Sequence, residues 1–121
     1  MGAPEELVTG SVVLINWPFA DLSGSKIRPA IVLTPLENGA YVLCQVTSQS
    51  YHRNSVLIEE VDFDLGGLRK TSYALPAHVF TADGRVLIRE VGRLNILTIE
   101  SISSRLKEQL DAGLAIRRHV I

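Results

Sequence analysis

Two neighbouring stretches decide the fold: Arg28-Pro29-Ala30-Ile31-Val32-Leu33, and Tyr41-Val42-Leu43-Cys44-Gln45-Val46-Thr47-Ser48-Gln49. Each is an apolar run whose length and β-branched content are typical of a strand. Glu37-Asn38-Gly39 lies between them and is a tight-turn signal, so the runs are predicted to pair as an antiparallel hairpin. The start of the first strand then lies beside the end of the second. This pairing would bring Arg28 and Thr47 to one rim of a small sheet.

Short strand-like runs recur along the rest of the chain, with turn residues between them. The further predicted strands are Val12–Ile15, Ser55–Ile58, Ser72–Leu75, Val79–Phe80 and Val86–Ile88. This pattern favours an all-β sandwich or barrel, in a single domain that spans residues 1–121. Pro76 cannot donate to a strand ladder and is therefore expected at a strand end or edge. Several runs are continuous rather than alternating, so both sheet faces should be covered, by barrel closure, a helix or a partner subunit.

The last segment of the chain changes its period. Its apolar residues recur at intervals of three and four, with polar residues between them: Ile99, Ile102, Leu106 and Leu110. This spacing predicts an amphipathic C-terminal helix. Thr98 is the predicted N-cap and Gly113 the predicted end of the helix.

Composition predicts a soluble globular protein in the cytoplasm. Hydrophobic residues make up 46% of the chain and charged residues 21%, which is typical of a globular domain rather than a disordered tail. No apolar run reaches the roughly 18 residues of a membrane span, and the acidic N-terminus lacks the features of a secretory signal. The single Cys44 excludes an internal disulfide and is predicted to be buried and inert.

Charge is balanced overall but unevenly distributed. The net charge of −1 argues against a long basic footprint on a nucleic acid duplex. An acidic stretch over residues 59–64 is followed by a mainly basic one, in which the cations are Arg69, Lys70, Arg85, Arg89 and Arg93. A phosphate-binding surface is therefore expected to be a local cleft or patch rather than a whole face.

Arg28 and Thr47 are the best candidates for chemistry. A guanidinium offers five N–H donors in a planar fork, and beside a hydroxyl it is suited to holding a phosphate. Donors arranged in this way stabilise the charge that develops on phosphoryl oxygens during phosphodiester cleavage. The structural alternative is an arginine that pairs with an acid or caps a strand, and a threonine present for its β propensity. Spacing alone leaves both interpretations open.

Polar and aromatic residues near this pair are candidates for contacts with RNA. Ser48 and Gln49 extend the donor set into a loop, and such side chains hydrogen-bond to the edges of unpaired bases. Trp17 and Phe19 follow the first strand and are either core or dimer-contact aromatics, or surfaces on which bases stack. The three histidines show no metal-ligand spacing, and we assign no metal and no cofactor.

The chain resembles the MazF/PemK family, the endoribonuclease toxins of bacterial toxin–antitoxin pairs. The resemblance is carried by Gly10-x-Val12-Val13, by Arg28-Pro29-Ala30-Ile31-Val32-Leu33, and by Val46-Thr47-Ser48-Gln49-Ser50. The Arg-Pro element followed at this distance by Thr-Ser-Gln is specific. The stretch Gly66-Gly67-Leu68-Arg69-Lys70-Thr71-Ser72-Tyr73 also resembles a PemK-like subgroup.

The resemblance implies a mainly β fold, an SH3-like small barrel of the MazF/CcdB type with a C-terminal helix, as a homodimer. It implies metal-independent cleavage of single-stranded RNA by 2′-hydroxyl attack, which leaves 2′,3′-cyclic phosphate and 5′-hydroxyl ends. A cognate antitoxin would lay an acidic, partly disordered segment into the RNA groove. By motif, Arg28 and Thr47 match the family's catalytic positions. The implied RNA-binding set is Trp17, Ser48 and Gln49, to which Phe19 beside Trp17 and Lys70 in the PemK-like stretch are added.

One segment departs from the family pattern. Many members carry Gly-Ser-Glu-Gln and a few more residues before the Arg-Pro pair, whereas here Gly24-Ser25-Lys26-Ile27 leads directly to Arg28. The shorter loop motivates a second hypothesis from a different class. In that hypothesis the chain is a catalytically silent SH3-like barrel that binds RNA or a protein partner.

Overall fold

A computed structural model of the chain describes residues 6–17, 26–50 and 53–120. It contains seven strands, which are β1 (Ser11–Trp17), β2 (Lys26–Pro35), β3 (Ala40–Thr47), β4 (Val56–Ile58), β5 (Phe63–Gly66), β6 (Ser72–Asp83) and β7 (Leu87–Leu94). One helix, α1 (Ile96–Arg118), follows them. Short 3₁₀ turns occupy Glu37–Gly39, Glu60–Asp62 and Gly84–Val86.

The strands form one curled antiparallel sheet in the order β4-β6-β3-β2-β1-β7-β5. β4 and β5 are its two edges, so the described strands make a half-barrel rather than a closed cylinder. The helix packs against β6 and β4. The predicted mainly β architecture with a C-terminal helix is therefore confirmed.

The hairpin predicted between the two opening stretches is confirmed. β2 and β3 pair antiparallel, with Ala30 opposite Gln45 and Ile31 opposite Cys44. The turn that joins them places Asn38 and Gly39 at φ values of 64° and 77°. That left-handed region is open to glycine and tolerated by asparagine, which is why this sequence can turn so tightly.

Both faces of the central strands are buried, as their continuous apolar runs predicted. One face contributes Val12, Ile31 and Cys44 to a cluster that also receives Ile102 from α1. The neighbouring residues point the other way, and a second cluster contains Val13, Ile15, Trp17, Ala30, Val32 and Leu43. Side chains alternate between faces along a strand, so each central strand supports two cores.

Pro76 lies in the interior of β6 and is buried, so the prediction of a strand end or edge was wrong. The ladder between β3 and β6 explains how a proline is accommodated there. Gln45 pairs with Leu75, and the next residue back, Cys44, pairs with Val79. β3 advances by one residue while β6 advances by four, which leaves residues 76–78 outside the ladder. A bulge of this kind needs no N–H from the proline.

The helix begins earlier and ends later than predicted. Asn95 is the N-cap, and its Oδ1 accepts from the N–H of Thr98 at 2.9 Å. Thr98 instead lies in the first turn, where its hydroxyl donates to Oδ1 of Asp62 at 3.0 Å. Gly113 lies inside the helix, which runs on to Arg118. A helical glycine costs only about 1 kcal/mol relative to alanine, which is too little to end an otherwise regular helix.

The single thiol is buried. Cys44 has no exposed surface, and desolvation by burial raises its pKa to about 12. Since the thiolate is the reactive form, this cysteine is unsuited to nucleophilic chemistry. Among the described residues, no helix is both long enough and apolar enough to cross a membrane.

Candidate functional site

The β2–β3 ladder brings Arg28 and Thr47 to the same place. The register that sets Ala30 opposite Gln45 would set Arg28 opposite Thr47 two residues further along. Opposed residues on antiparallel strands have Cα atoms about 5 Å apart. Both residues line the same two adjoining cavities, so one ligand could contact both side chains. Their roles in catalysis stay predictions.

A local hydrogen bond orients the Thr47 hydroxyl. The oxygen accepts from the backbone N–H of Gln49 at 3.1 Å, which folds Ser48 and Gln49 back over the end of β3. A hydroxyl has one proton to donate and two lone pairs to accept with. The bond to Gln49 uses a lone pair, so the proton is available for an oxygen of a bound phosphate or ribose.

The larger of the two cavities has a volume of about 730 Å³, and we call it the cation-lined cavity. Its floor includes one row of residues that crosses four strands. Arg89 on β7 lies opposite Leu14 on β1, and Leu14 lies opposite Pro29 on β2. Val46 on β3 is the fourth member, and all four residues line the cavity. Backbone pairing between the central strands of the sheet therefore fixes the positions of these four residues.

Four cationic side chains border this cavity, and no carboxylate is found among its described lining residues: the cations are Arg28, Arg69, Lys70 and Arg89. The two ion pairs within the described ranges are made by Arg85 with Asp83 and by Arg93 with Glu90, so they involve none of these four. Clustered like charges repel one another, and such a cluster becomes favourable when an anion binds among them.

Arg69 and Lys70 are carried by an anchored loop between β5 and β6. The N–H of Gly67 donates to the carbonyl of Val91 at 3.1 Å, and the hydroxyl of Ser72 donates to the carbonyl of Lys70 at 2.9 Å. Leu68 packs against the core cluster. The same two cations also border a smaller depression with Glu59 and Glu60. Part of their positive charge is therefore offset by the acidic stretch.

The other predicted site residues differ in how the structure situates them. Ser48, Gln49 and Lys70 line the cation-lined cavity. Trp17 is only 7% exposed, and its ring meets that of Phe80 edge-on at 5.1 Å. Of the alternatives for Trp17, a core position fits this burial, and the part of the ring that is exposed borders the smaller of the two cavities. Phe19 lies outside the described residues.

Sequence reasoning missed Arg89 and Arg69 as members of the site. Arg89 lies more than forty positions from Arg28 or Thr47, and only the adjacency of β7 to β1 brings it near them. Strand order is a long-range property that no local pattern carries. The one available signal was the run of cations after residue 68, which predicted a local patch without saying which members would converge.

Comparison with known proteins agrees with this architecture. Residues 9–110 match the model of a family described as PemK-like, MazF-like toxins of type II toxin–antitoxin systems. No curated protein matches the chain at a significant level.

The fold is similar to that of solved toxin structures. In a MazE–MazF crystal structure from Deinococcus radiodurans, the similar chain is 21% identical with a TM-score of 0.68, over 87% of this chain and 96% of that one. An endoribonuclease bound to its cognate antitoxin from a mycobacterial species is 17% identical with a TM-score of 0.66, over 92% and 96%. The Mycobacterium tuberculosis toxin MazF-mt6 is 16% identical with a TM-score of 0.65, over 84% and 96%. The family model spans most of the sequence, and the chain belongs to the PemK/MazF family of type II toxin–antitoxin toxins.

Proposed function

We propose that this protein is a metal-independent endoribonuclease toxin that cleaves single-stranded RNA. One observation supports this activity most directly: Arg28 and Thr47, distant in sequence, line one cavity together with three further cations. RNA is a polyanion, and this cavity offers donors and positive charge without a competing carboxylate among its described residues. Family toxins are endoribonucleases, and a similar fold carries that description in the mycobacterial structure.

In the proposed reaction, O2′ of a ribose forms a bond to the adjacent phosphorus and the P–O5′ bond breaks. The O2′ proton is lost, a proton is gained by O5′, and the products carry a 2′,3′-cyclic phosphate and a 5′-hydroxyl. Arg28 stabilises the charge that builds on the phosphoryl oxygens, since its fork can donate two parallel hydrogen bonds. Thr47 donates to the phosphate or to the attacking oxygen. A guanidinium keeps its proton, so Arg28 is not assigned as the base.

The proposed partners follow from the same cavity. A cognate antitoxin would neutralise the toxin by placing an acidic segment against Arg28, Arg69, Lys70 and Arg89, where its carboxylates would replace RNA phosphates. A homodimer is proposed from the family resemblance. The protein is proposed to act in the cytoplasm, where its RNA substrate is found.

Incubation of the purified protein with mixed-sequence single-stranded RNA in excess chelator tests the activity. We expect cutting in the chelator, with new 5′ ends that polynucleotide kinase can phosphorylate without prior phosphatase treatment. The silent-barrel alternative predicts intact RNA under the same conditions. Cutting that disappears with chelator, or that leaves 5′-phosphates, would contradict the proposed reaction.

Arg89→Gln is expected to weaken RNA binding at all sequences alike. A side chain that contacts a phosphate contributes through counterion release, and the slope of log affinity against log salt should fall in magnitude by about 0.7 for a single strand. Fluorescence anisotropy of an uncleavable 2′-O-methyl oligonucleotide between low and moderate salt measures this slope.

Arg85→Gln is the matched control for this measurement. Arg85 donates to Asp83 at 3.0 Å, which lowers the pKa of that carboxyl, and it lies outside the cation-lined cavity. Its replacement should leave the slope unchanged. Equal slopes for Arg89→Gln and Arg85→Gln would show that Arg89 does not contact the RNA backbone.

A further inference from the structure

The bulge in β6 carries a histidine towards the neighbouring strand. Residues 76–78 lie outside the β3–β6 ladder, and the last of them is His78. Its Nδ1 lies 3.1 Å from Oε1 of Gln45 on β3. Bulges often redirect a side chain beside a functional site, and here the redirected side chain contacts the strand that ends in Thr47.

This hydrogen bond orients the side-chain amide of Gln45. An amide oxygen can only accept, so in this arrangement Nδ1 of His78 carries the proton and donates it. The amide of Gln45 is thereby held with its oxygen towards His78 and its NH₂ group directed elsewhere. The N–H donors of a glutamine held in this way can bond to a ligand in a cavity that the residue borders.

Gln45 and Thr47 lie on the same face of β3, because side chains two residues apart share a face. Gln45 borders two cavities. A bridging cavity of about 190 Å³ is lined by Gln45 and Trp17 and also by Arg28 and Thr47. An outer cavity of about 360 Å³ is lined by Trp17, Gln45, His78, Val79 and Phe80. The bridging cavity therefore joins the outer cavity to the Arg28–Thr47 pair.

The cavities on the two sides of the bridging cavity differ in chemistry. Beyond Arg28 on one side lie the cations of the cation-lined cavity, which suit phosphates. On the other side lies the outer cavity. Its apolar walls are the edge-to-face rings of Trp17 and Phe80 and the side chain of Val79, which is 41% exposed. Its polar group is the amide of Gln45, which His78 holds. Apolar walls with a single fixed polar group are typical of a site that accepts a flat heterocycle.

We propose that the outer cavity is a nucleobase subsite that sets cleavage specificity, with Gln45 as the specificity-determining residue and His78 as the residue that positions it. This rests on the proposed function, because it makes the bound base a neighbour of the phosphate held by Arg28. The N–H of Gln45 donates to a carbonyl oxygen on the base edge, which is O4 of uracil or O6 of guanine. Cytosine and adenine carry an amino donor at the corresponding position and are disfavoured.

Gln45→Glu tests the donor directly, because it replaces the NH₂ group by an acceptor of the same shape. Sequencing of the ends produced from mixed RNA first identifies the nucleotide position that the parent reads. We expect the parent to prefer uracil over cytosine there, and the variant to reverse this uracil-to-cytosine ratio in kcat/KM by tenfold or more. Gln109→Glu makes the same change on the exposed surface of α1 and should leave the ratio unchanged.

His78 is tested by loss and rescue. His78→Ala releases the amide of Gln45 to rotate, so the uracil-to-cytosine ratio should fall several-fold towards one. His78→Asn retains an N–H donor near the place of Nδ1 and should restore most of the ratio. Thermal unfolding of each variant checks that the fold is kept. An unchanged ratio in both Gln45→Glu and His78→Ala overturns the proposal.

Binding separates this inference from the cleavage reaction. Uncleavable 2′-O-methyl oligonucleotides that differ only by uracil or cytosine can be titrated by fluorescence anisotropy, whether or not the parent cuts RNA. A uracil preference in the parent that reverses in Gln45→Glu supports the subsite even if the nuclease assay fails. Equal affinities for all oligonucleotides in the parent overturn the subsite even if RNA is cut.

Discussion

Arg28→Lys should reduce kcat for RNA cleavage by about 10²-fold or more while the fold is retained. The substitution keeps the positive charge but replaces a planar fork by a single ammonium group, which cannot donate two parallel hydrogen bonds to phosphoryl oxygens. Arg28 is an exposed residue at the start of β2, so the change removes no buried contact. Single-turnover cleavage of a labelled oligonucleotide, with circular dichroism and thermal unfolding of the same samples, gives both quantities.

Thr47 provides the matched comparison at the same site. Thr47→Ser keeps the hydroxyl that accepts from Gln49 and should retain most of the activity. Thr47→Val has nearly the same shape without the hydroxyl and should lose most of it. If Arg28→Lys cleaves as fast as the parent, the two parallel hydrogen bonds proposed for the guanidinium are not required, and this role of Arg28 is wrong.

Gly66→Ala should lower the free energy of unfolding by about 3 kcal/mol and Tm by roughly 10 °C or more. Gly66 ends β5 at a φ of 65°, in the left-handed region where a side chain adds strain. An added Cβ would also lie 2.6 Å from Cα of Gly92 and press on the carbonyl of Val91. These are backbone atoms of β7, so the pairing of β5 with β7 must give way. Urea unfolding followed by circular dichroism measures the loss.

Gly67→Ala is a stringent control because it is the next residue in the chain. A Cβ on Gly67 meets nothing within 4 Å, and its φ is not left-handed. Its replacement should change stability by less than about 0.5 kcal/mol. Equal stabilities for Gly66→Ala and Gly67→Ala would mean that β5 and β7 do not approach as closely as described.

Much of the central sheet could be predicted because its signals are local. The β2–β3 hairpin follows from two apolar runs and the Asn38-Gly39 turn, and the juxtaposition of Arg28 and Thr47 follows from that hairpin. The continuous apolar character of these runs also predicted burial on both faces. These features depend on residues that are near one another in sequence, where propensity and periodicity carry information.

Features that depend on distant partners escaped prediction. β5 lies at the end of an acidic stretch with little strand character, and its pairing with β7 makes it a strand. Asn95 and Thr98 are both suitable N-cap residues. With Asn95 as the N-cap, Thr98 lies in the first turn and its hydroxyl donates to Asp62. Arg89 joins the site only because β7 lies beside β1. In each case a contact across the fold decides between locally equivalent choices.

The three residues that β6 leaves unpaired have a consequence for how this toxin could diversify. Ala77 and His78 are exposed and lie outside the β3–β6 ladder. Substituting them therefore breaks no backbone hydrogen bond of that ladder. Arg28 and Thr47 lie on β2 and β3, outside these three residues. If the proposed base subsite is correct, exchanges in this one short segment would change which RNA bases are read while Arg28 and Thr47 stay in place.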